Sequence, residues 1–308
     1  MIPREAIREA AARLAGRVHR TPILSARRLG EPAGVRLWLK AECFQKTGSF
    51  KARGALNRIA ALTEEERRDG VVTWSAGNHA QAVAWAAAQY DVDCLVYMWA
   101  SANPTKVEAA RGYGATVDVS SPDPAAAYER ALGTGRVFVH PHDDPWVIAG
   151  HGTLALEILE DVPEVETVVV GVGGGGLVSG IVTALEGRAR VVAVEPEQAQ
   201  AFRAGLEAGH SVRVETNTIA DGLAPPFAGE TALQICRGKV DSVLVSENEI
   251  AEGMRFLYGR AKLACEPAGA AAAAAVLAGK VDLAGPTVVI VSGGNSVPEQ
   301  AAAILAQR

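Results

Sequence analysis

The sequence predicts an α/β protein made of two units, each a twisted, mostly parallel sheet flanked by helices. Three observations lead there. Between Val71 and His140 short β-branched runs alternate with runs of helical period at close spacing. A second alternation of the same kind extends from Trp146 to Ala306. Within it, Thr287 to Val291 is a near-continuous β-branched run, as expected of a central parallel strand buried on both faces. The expected division is residues 1–69 and 144–308 as a large unit and 70–143 as a small inserted one.

Taken in order, Ile2 to Leu14 has the spacing of an amphipathic helix, and Arg20 to Leu24 is kept extended by Pro22. Val35 to Lys40 reads as a strand and Ala52 to Leu62 as a helix. Thr63 and Glu66 form a capping-box pattern that opens a short helix. The small unit follows with strands at 71–74, 94–98, 116–119 and 137–140 and helices at 79–90, 104–113 and 124–132. In the second set, helices are expected at 146–160, 177–186 and 198–207 and strands at 167–170, 190–195 and 243–245. Ser246 and Glu249 make another capping box, for a helix to about Tyr258. Pro267 to Leu277 is nearly all alanine, a strong helix former slim enough to pack close to its neighbours. A last helix covers 298–306.

Composition limits the function. Of the 308 residues, 49% are apolar and 21% charged, which suits a globular enzyme with a large core. The net charge of −5 comes without a basic block, so neither nucleic acid nor a membrane surface is an expected partner. The start lacks the apolar run of a secretory signal and no stretch reads as a membrane span, so a cytoplasmic location is expected. Cys43, Cys94, Cys236 and Cys265 are scattered without a C-x-x-C pair, which indicates neither a disulfide framework nor a zinc site.

The chemistry begins at Lys51, one of only seven lysines. It follows a Thr-Gly-Ser bend and opens a helix, where unpaired N–H groups and the helix dipole oppose positive charge. An amine that must be partly neutral to attack a carbonyl gains from that opposition and from burial, so Lys51 is a Schiff-base candidate; a surface lysine that happens to start a helix is the plain alternative. Gly171 to Leu177 lies between a strand and a helix and contains four consecutive glycines, Gly173, Gly174, Gly175 and Gly176. Their N–H groups can converge on a phosphate at the positive helix end. The same stretch satisfies G-x-G-x-x-G, with Glu195 closing the next strand, so an NAD-dependent oxidoreductase is the competing reading. Against it stand the mid-chain position, the excess of glycines and a lysine left without a task. Ser75, Ala76, Gly77, Asn78 and His79 form a small-residue turn into a helix, which can present N–H groups to a carboxylate or be simply a capped helix. Ser292 puts a hydroxyl at the carboxyl end of a strand, where a sheet crevice holds its ligand.

Gly48 to Ala55 resembles the cofactor-lysine segment of pyridoxal-phosphate enzymes of fold type II, the tryptophan synthase beta-like fold, in the branch of threonine/serine dehydratases and serine racemase. The resemblance runs from Arg20 to Asn295 with its motifs in family order. It implies that Lys51 carries pyridoxal 5′-phosphate as an internal aldimine, that Gly173 to Gly176 with Leu177 hold its phosphate, and that Ser292 pairs with the pyridine nitrogen. It assigns Ser75 to His79 to the substrate carboxylate and Asn78 to the phenolic oxygen, with Glu266 lining the pocket as a supporting carboxylate. Asp221 also matches the family, although an Asx turn accounts for it equally.

The implied activity is a carbon–oxygen lyase that converts L-threonine and/or L-serine to 2-oxobutanoate or pyruvate plus ammonia. The cofactor phosphate would supply the proton for the leaving hydroxyl. A homodimer or higher homo-oligomer is implied as well. Ala76 replaces the serine that gives serine racemase its second-face proton donor, so racemisation is expected to be lost. His142 stands where dehydratases have an aromatic residue and serine racemase an asparagine, and is a candidate contact for cofactor or substrate. With Phe44 and Trp99 it raises the alternative of a bulkier or acidic β-hydroxy amino acid. A β-replacement enzyme and a non-catalytic cofactor-binding protein are further alternatives. The family's cation site would use Glu195 with an acidic residue six positions on; Ala201 stands there, so no metal is expected.

Overall fold

The structure is a computed structural model and describes residues 2–307. In chain order the elements begin with α1 (Arg4–Leu14), β1 (Ile23–Ser25), α2 (Arg27–Gly30), β2 (Leu37–Ala41), α3 (Lys51–Ala60) and α4 (Glu64–Asp69). Then come β3 (Val71–Trp74), α5 (Asn78–Ala88), β4 (Cys94–Trp99), α6 (Pro104–Gly112), β5 (Thr116–Ser121), α7 (Pro124–Leu132) and β6 (Val137–Phe138). The remainder is α8 (Pro145–Asp161), β7 (Thr167–Gly171), α9 (Gly176–Leu185), β8 (Arg190–Pro196), α10 (Ala201–Ala208), α11 (Glu230–Cys236), β9 (Asp241–Val245), α12 (Glu247–Phe256), α13 (Pro267–Leu277), β10 (Thr287–Val291) and α14 (Pro298–Ala306).

The strands form two sheets. One has the order β1-β2-β10-β7-β8-β9, parallel except for β1, and the other is the parallel set β5-β4-β3-β6. In the larger sheet β10 pairs with β2 and β7 and is buried throughout, as its β-branched run predicts. Side chains on successive residues point to opposite faces. Thus Val168, Val170, Val288 and Ile290 join α1, α8 and α9 in one core, while Val169, Val289 and Val291 join α12 and α13 in another. The alanine helix is buried from Pro267 to Val276. Its backbone lies so close to α12 that a Cβ on Gly253 would come within 3.0 Å of Ala274 N.

Both capping boxes form, at Thr63 with Glu66 and at Ser246 with Glu249. Helix α10 differs from expectation: it begins at Ala201, not Gln198. The Glu195 carboxylate reaches across from β8 and accepts the Phe202 and Arg203 N–H groups at 2.8 and 2.9 Å, capping the helix where the local sequence shows no cap. Helix α11 has no counterpart in the sequence reading, and the helix expected to reach Tyr258 gives way to a π turn over Leu257–Ala261. Among the described residues no helix is long and apolar enough to cross a membrane.

Candidate active site

The carboxyl ends of β2, β3, β7 and β10 deliver the lysine segment, the Ser75 turn, the glycine loop and Ser292 to one place. They line a cavity of about 1070 Å³ together with His142 and Glu266. The lysine segment is stitched to the end of β10 by backbone bonds: Phe50 N–H donates to Ser292 O and Gly294 N–H to Gly48 O.

Lys51 is the first residue of α3, which has no side-chain cap. Its Nζ donates to Pro141 O at 2.6 Å and sits 5.1 Å from the Phe50 ring centre. No carboxylate pairs with it among the described residues, and burial pushes its pKa down to about 8. The neutral fraction near neutral pH therefore rises to about a tenth, far above that of an ordinary lysine, the property an attacking amine needs.

The glycine loop admits no side chains. A Cβ on Gly173 would lie 2.9 Å from Pro225 Cδ, one on Gly175 2.6 Å from Ala232 Cβ, and one on Gly174 would overlap the His142 ring. Gly175 adopts φ +90° as the N-cap of α9, leaving the first N–H groups of that helix without intrahelical partners. This is an anion cradle at the positive end of a helix. The Ser292 hydroxyl, which also lines the cavity, has only a long, 3.5 Å approach to Ala268 O, so it is available to a ligand.

In the Ser75 turn, Gly77 N–H donates to Ser75 Oγ at 3.1 Å, and Gly77 is the N-cap of α5. Asn78 opens that helix, one residue earlier than expected. Its Nδ2 donates to Glu266 Oε1 at 2.5 Å and its Oδ1 accepts from Asn295 Nδ2 at 2.8 Å. Burial, followed by repulsion from Asp221, pushes the Glu266 carboxyl up to about 7. His79 lies in the same turn and lines the cavity. The ring is buried with Nε2 on Val139 O, so the turn offers its backbone N–H and not the imidazole.

Four imidazoles crowd this region. His140, His142, His79 and His151 all have lowered pKa values because burial disfavours the cation, His140 to about 4. His142 stacks edge-on against His140 at 4.5 Å, lies over Gly174 and Gly176, and has a buried Nε2 without a partner. It therefore belongs to the glycine-loop side of the cavity.

Other expectations are redrawn. Phe44 is 52% exposed and does not line the cavity, so it does not bear on substrate size, whereas Trp74 and Trp99 do form part of the wall. Asp221 is not an isolated Asx turn: it pairs with Lys106 of α6 across the cavity. Glu195 lies outside the cavity, both of its oxygens engaged as a helix cap. The residues missed by the sequence reading are Asn295, Lys106 and Trp74; Asn295 lay within a noted motif but carried no local signal of its partners.

Known proteins resemble nearly the whole chain. The family described as Pyridoxal-phosphate dependent enzyme matches residues 14–294. The L-threonine ammonia-lyase of Thermotoga maritima is 46% identical over 305 residues, covering 96% of this chain and 76% of that protein. The catabolic L-threonine dehydratase TdcB of Escherichia coli K12 is 42% identical over 299 residues, 93% of this chain and 91% of that protein. Among solved structures, maize serine racemase matches with a TM-score of 0.92 at 38% identity, over 96% of this chain and 94% of that one.

Proposed function

The chain belongs to the pyridoxal-phosphate-dependent enzymes of fold type II, in the branch of threonine/serine dehydratases and serine racemase, and from that membership we propose that it deaminates L-threonine and/or L-serine to 2-oxobutanoate or pyruvate plus ammonia. The observation that carries the reading is the convergence on one cavity of an unpaired lysine, a glycine cradle and a free serine hydroxyl from segments far apart in sequence. This donor set fits pyridoxal phosphate: side-chain-free backbone for the phosphate, an amine with a lowered pKa for the aldehyde, a neutral hydroxyl for the ring nitrogen. The two separate sheets support reading residues 70–143 as the smaller unit that carries the substrate loop.

Bound pyridoxal phosphate supplies an electron sink that makes the substrate α-proton acidic. Lys51, made easier to deprotonate by burial, takes that proton in its neutral form, and the Pro141 carbonyl is in place to receive the resulting ammonium. Ser75 and the free N–H groups at the start of α5 bind the substrate carboxylate. Asn78 adds one N–H donor. Trp74 and Trp99 form part of the cavity wall.

The purified protein should be yellow with pyridoxal phosphate, and borohydride followed by peptide mapping should tag residue 51. Ketoacid release across L-threonine, L-serine, 3-hydroxyaspartate and phenylserine should be fastest for the first two. Faster turnover of O-acetylserine with sulfide would reject the lyase in favour of a β-replacement enzyme. A colourless protein that binds NAD would reject the cofactor.

Face selectivity follows from Ala76, whose methyl group occupies the loop position on the cavity wall and has no proton to give. One positioned acid or base contributes a factor of roughly 10² to 10⁴. Ala76→Ser should therefore raise D-serine formation from L-serine by about 10²-fold while the cofactor absorbance stays as in wild type. Solvent deuterium in recovered serine measures it. Wild-type D-serine formation as fast as pyruvate release would show that the donor lies elsewhere.

A further inference from the structure

We infer that Asn295 is a positioning residue that sets the polarity of Asn78, so that the amide of Asn78 presents an N–H donor, and not its carbonyl, to the cavity. The inference rests on the proposed function and adds to it a residue outside the carboxylate loop, the glycine cradle and Ser292.

The polarity can be traced from a backbone group. Thr47 and Gly48 have φ of 57° and 74°, two successive left-handed residues just before the lysine, and this bend turns the Thr47 carbonyl toward Asn295. A backbone carbonyl only accepts, so the Asn295 atom facing it at 2.7 Å is the nitrogen Nδ2. The second hydrogen of the same Nδ2 goes to Asn78 at 2.8 Å, which makes the receiving atom Oδ1. With its oxygen used, Asn78 turns Nδ2 toward Glu266. Glu266 takes one hydrogen at 2.5 Å and one remains, on a side chain that lines the cavity.

Two glycines clear the route. A Cβ on Gly48 would overlap Asn295 Oδ1. A Cβ on Gly293 would overlap Glu266 Oε1 and come within 3.1 Å of Asn78 Nδ2. Reversing the Asn78 amide would set its NH₂ against that of Asn295, losing that bond, and would set its oxygen against Glu266 whenever that carboxyl is ionised. The arrangement thus has one low-energy polarity, fixed from the lysine loop through Asn295. A fixed N–H there suits an anionic oxygen, and the phenolic oxygen of the cofactor is the group the family reading brings to it.

The test uses the cofactor-loaded protein and reads the pH midpoint of its visible absorbance, which reports deprotonation of the chromophore. Asn295→Asp keeps the shape but offers only acceptors, so Asn78 must turn its NH₂ toward the new carboxylate and its oxygen toward the cavity. Replacing a donor by an acceptor holds the chromophore proton more tightly. The midpoint should rise by about one pH unit or more, since a hydrogen bond to a charged group has about that worth. Asn295→Ala, which frees Asn78 without reversing it, should give a smaller rise. In both variants kcat should fall by about tenfold in the more affected case, with KM changed by less than about twofold.

A structural role alone would lower the thermal midpoint and leave the absorbance titration unmoved. Midpoints within about 0.2 unit of wild type in both variants would overturn the inference, whether or not Asn78→Ala is shifted. If Asn295→Asp does not fold, Asn295→Ala and Asn295→Ser read the same midpoint. A wild-type protein that takes up no pyridoxal phosphate would instead overturn the functional reading beneath it, before any variant is made.

Discussion

Lys51→Ala is expected to leave a folded, pale protein whose turnover of L-threonine and L-serine is at least about 10³-fold below wild type. Under the proposed function two roles would disappear with one side chain, the covalent attachment and the base that takes the α-proton. The fold should persist, because the side chain's one hydrogen bond is to Pro141 O and it carries no ion pair among the described residues. Circular dichroism and the thermal midpoint separate this from unfolding. The lowered pKa gives a second, independent reading. Neutral lysine attacks the aldehyde, so the rate of colour development in cofactor-free wild type should rise with pH and level off above about 8, not near the ordinary 10.5. A rate still climbing steeply between 9 and 10 would show that Lys51 is not desolvated as the structure places it. Lys51→Arg should develop no reducible adduct at any pH.

Glu42→Gln is expected to be the most destabilising change in the neighbourhood, costing about 3–5 kcal/mol of a total stability that is ordinarily about 5–15 kcal/mol. Beneath the lysine loop lies a network of two cations and two anions, buried except at Glu157, whose side chain is 14% exposed. Arg53 donates to Glu42 through Nε at 2.8 Å and Nη2 at 2.9 Å, and to Glu157 through Nη1 at 2.6 Å and Nη2 at 3.0 Å. Lys40 Nζ reaches Glu157 at 2.5 Å and Thr21 O at 2.8 Å. Lys40 and Glu42 are 0% and Arg53 is 1% exposed. Burial alone would push Glu42 up, but the charge and hydrogen bonds of Arg53 hold it below the usual carboxylate range.

Removing the Glu42 charge leaves the Arg53 and Lys40 cations against the single carboxylate of Glu157, which is where the cost arises. The urea midpoint at neutral pH should fall accordingly, with the denaturant slope unchanged. A carboxylate with a lowered native pKa stabilises above its unfolded value and loses that contribution as pH falls through the native one. The gap between wild type and Glu42→Gln should therefore be full at neutral pH and close in acid, below the ordinary 4.5. A gap of under about 1 kcal/mol at neutral pH would mean that solvent reaches the network. Because Arg53 lies two residues after Lys51 on the same helix, cofactor affinity should weaken with it.

Sequence alone settled what is local or set by side-chain chemistry. The bend before Lys51, the glycines before α9, the two capping boxes and the β-branched run of β10 each act within a few residues, and the structure has them where expected. Such signals are legible because a helix start, a positive φ or a doubly buried strand depends on the residues that make it. The tertiary structure decided what depends on groups meeting from afar. Glu195 shortened α10 by supplying a cap from another strand, and Phe44 faces solvent although it adjoins the lysine loop. Asn295 met Asn78 across 217 positions, and the Pro141 carbonyl met Lys51 across 90. No periodicity or propensity encodes these pairings. A buried polar atom must find a partner somewhere, but which one it finds is fixed only when the sheets bring their carboxyl ends together.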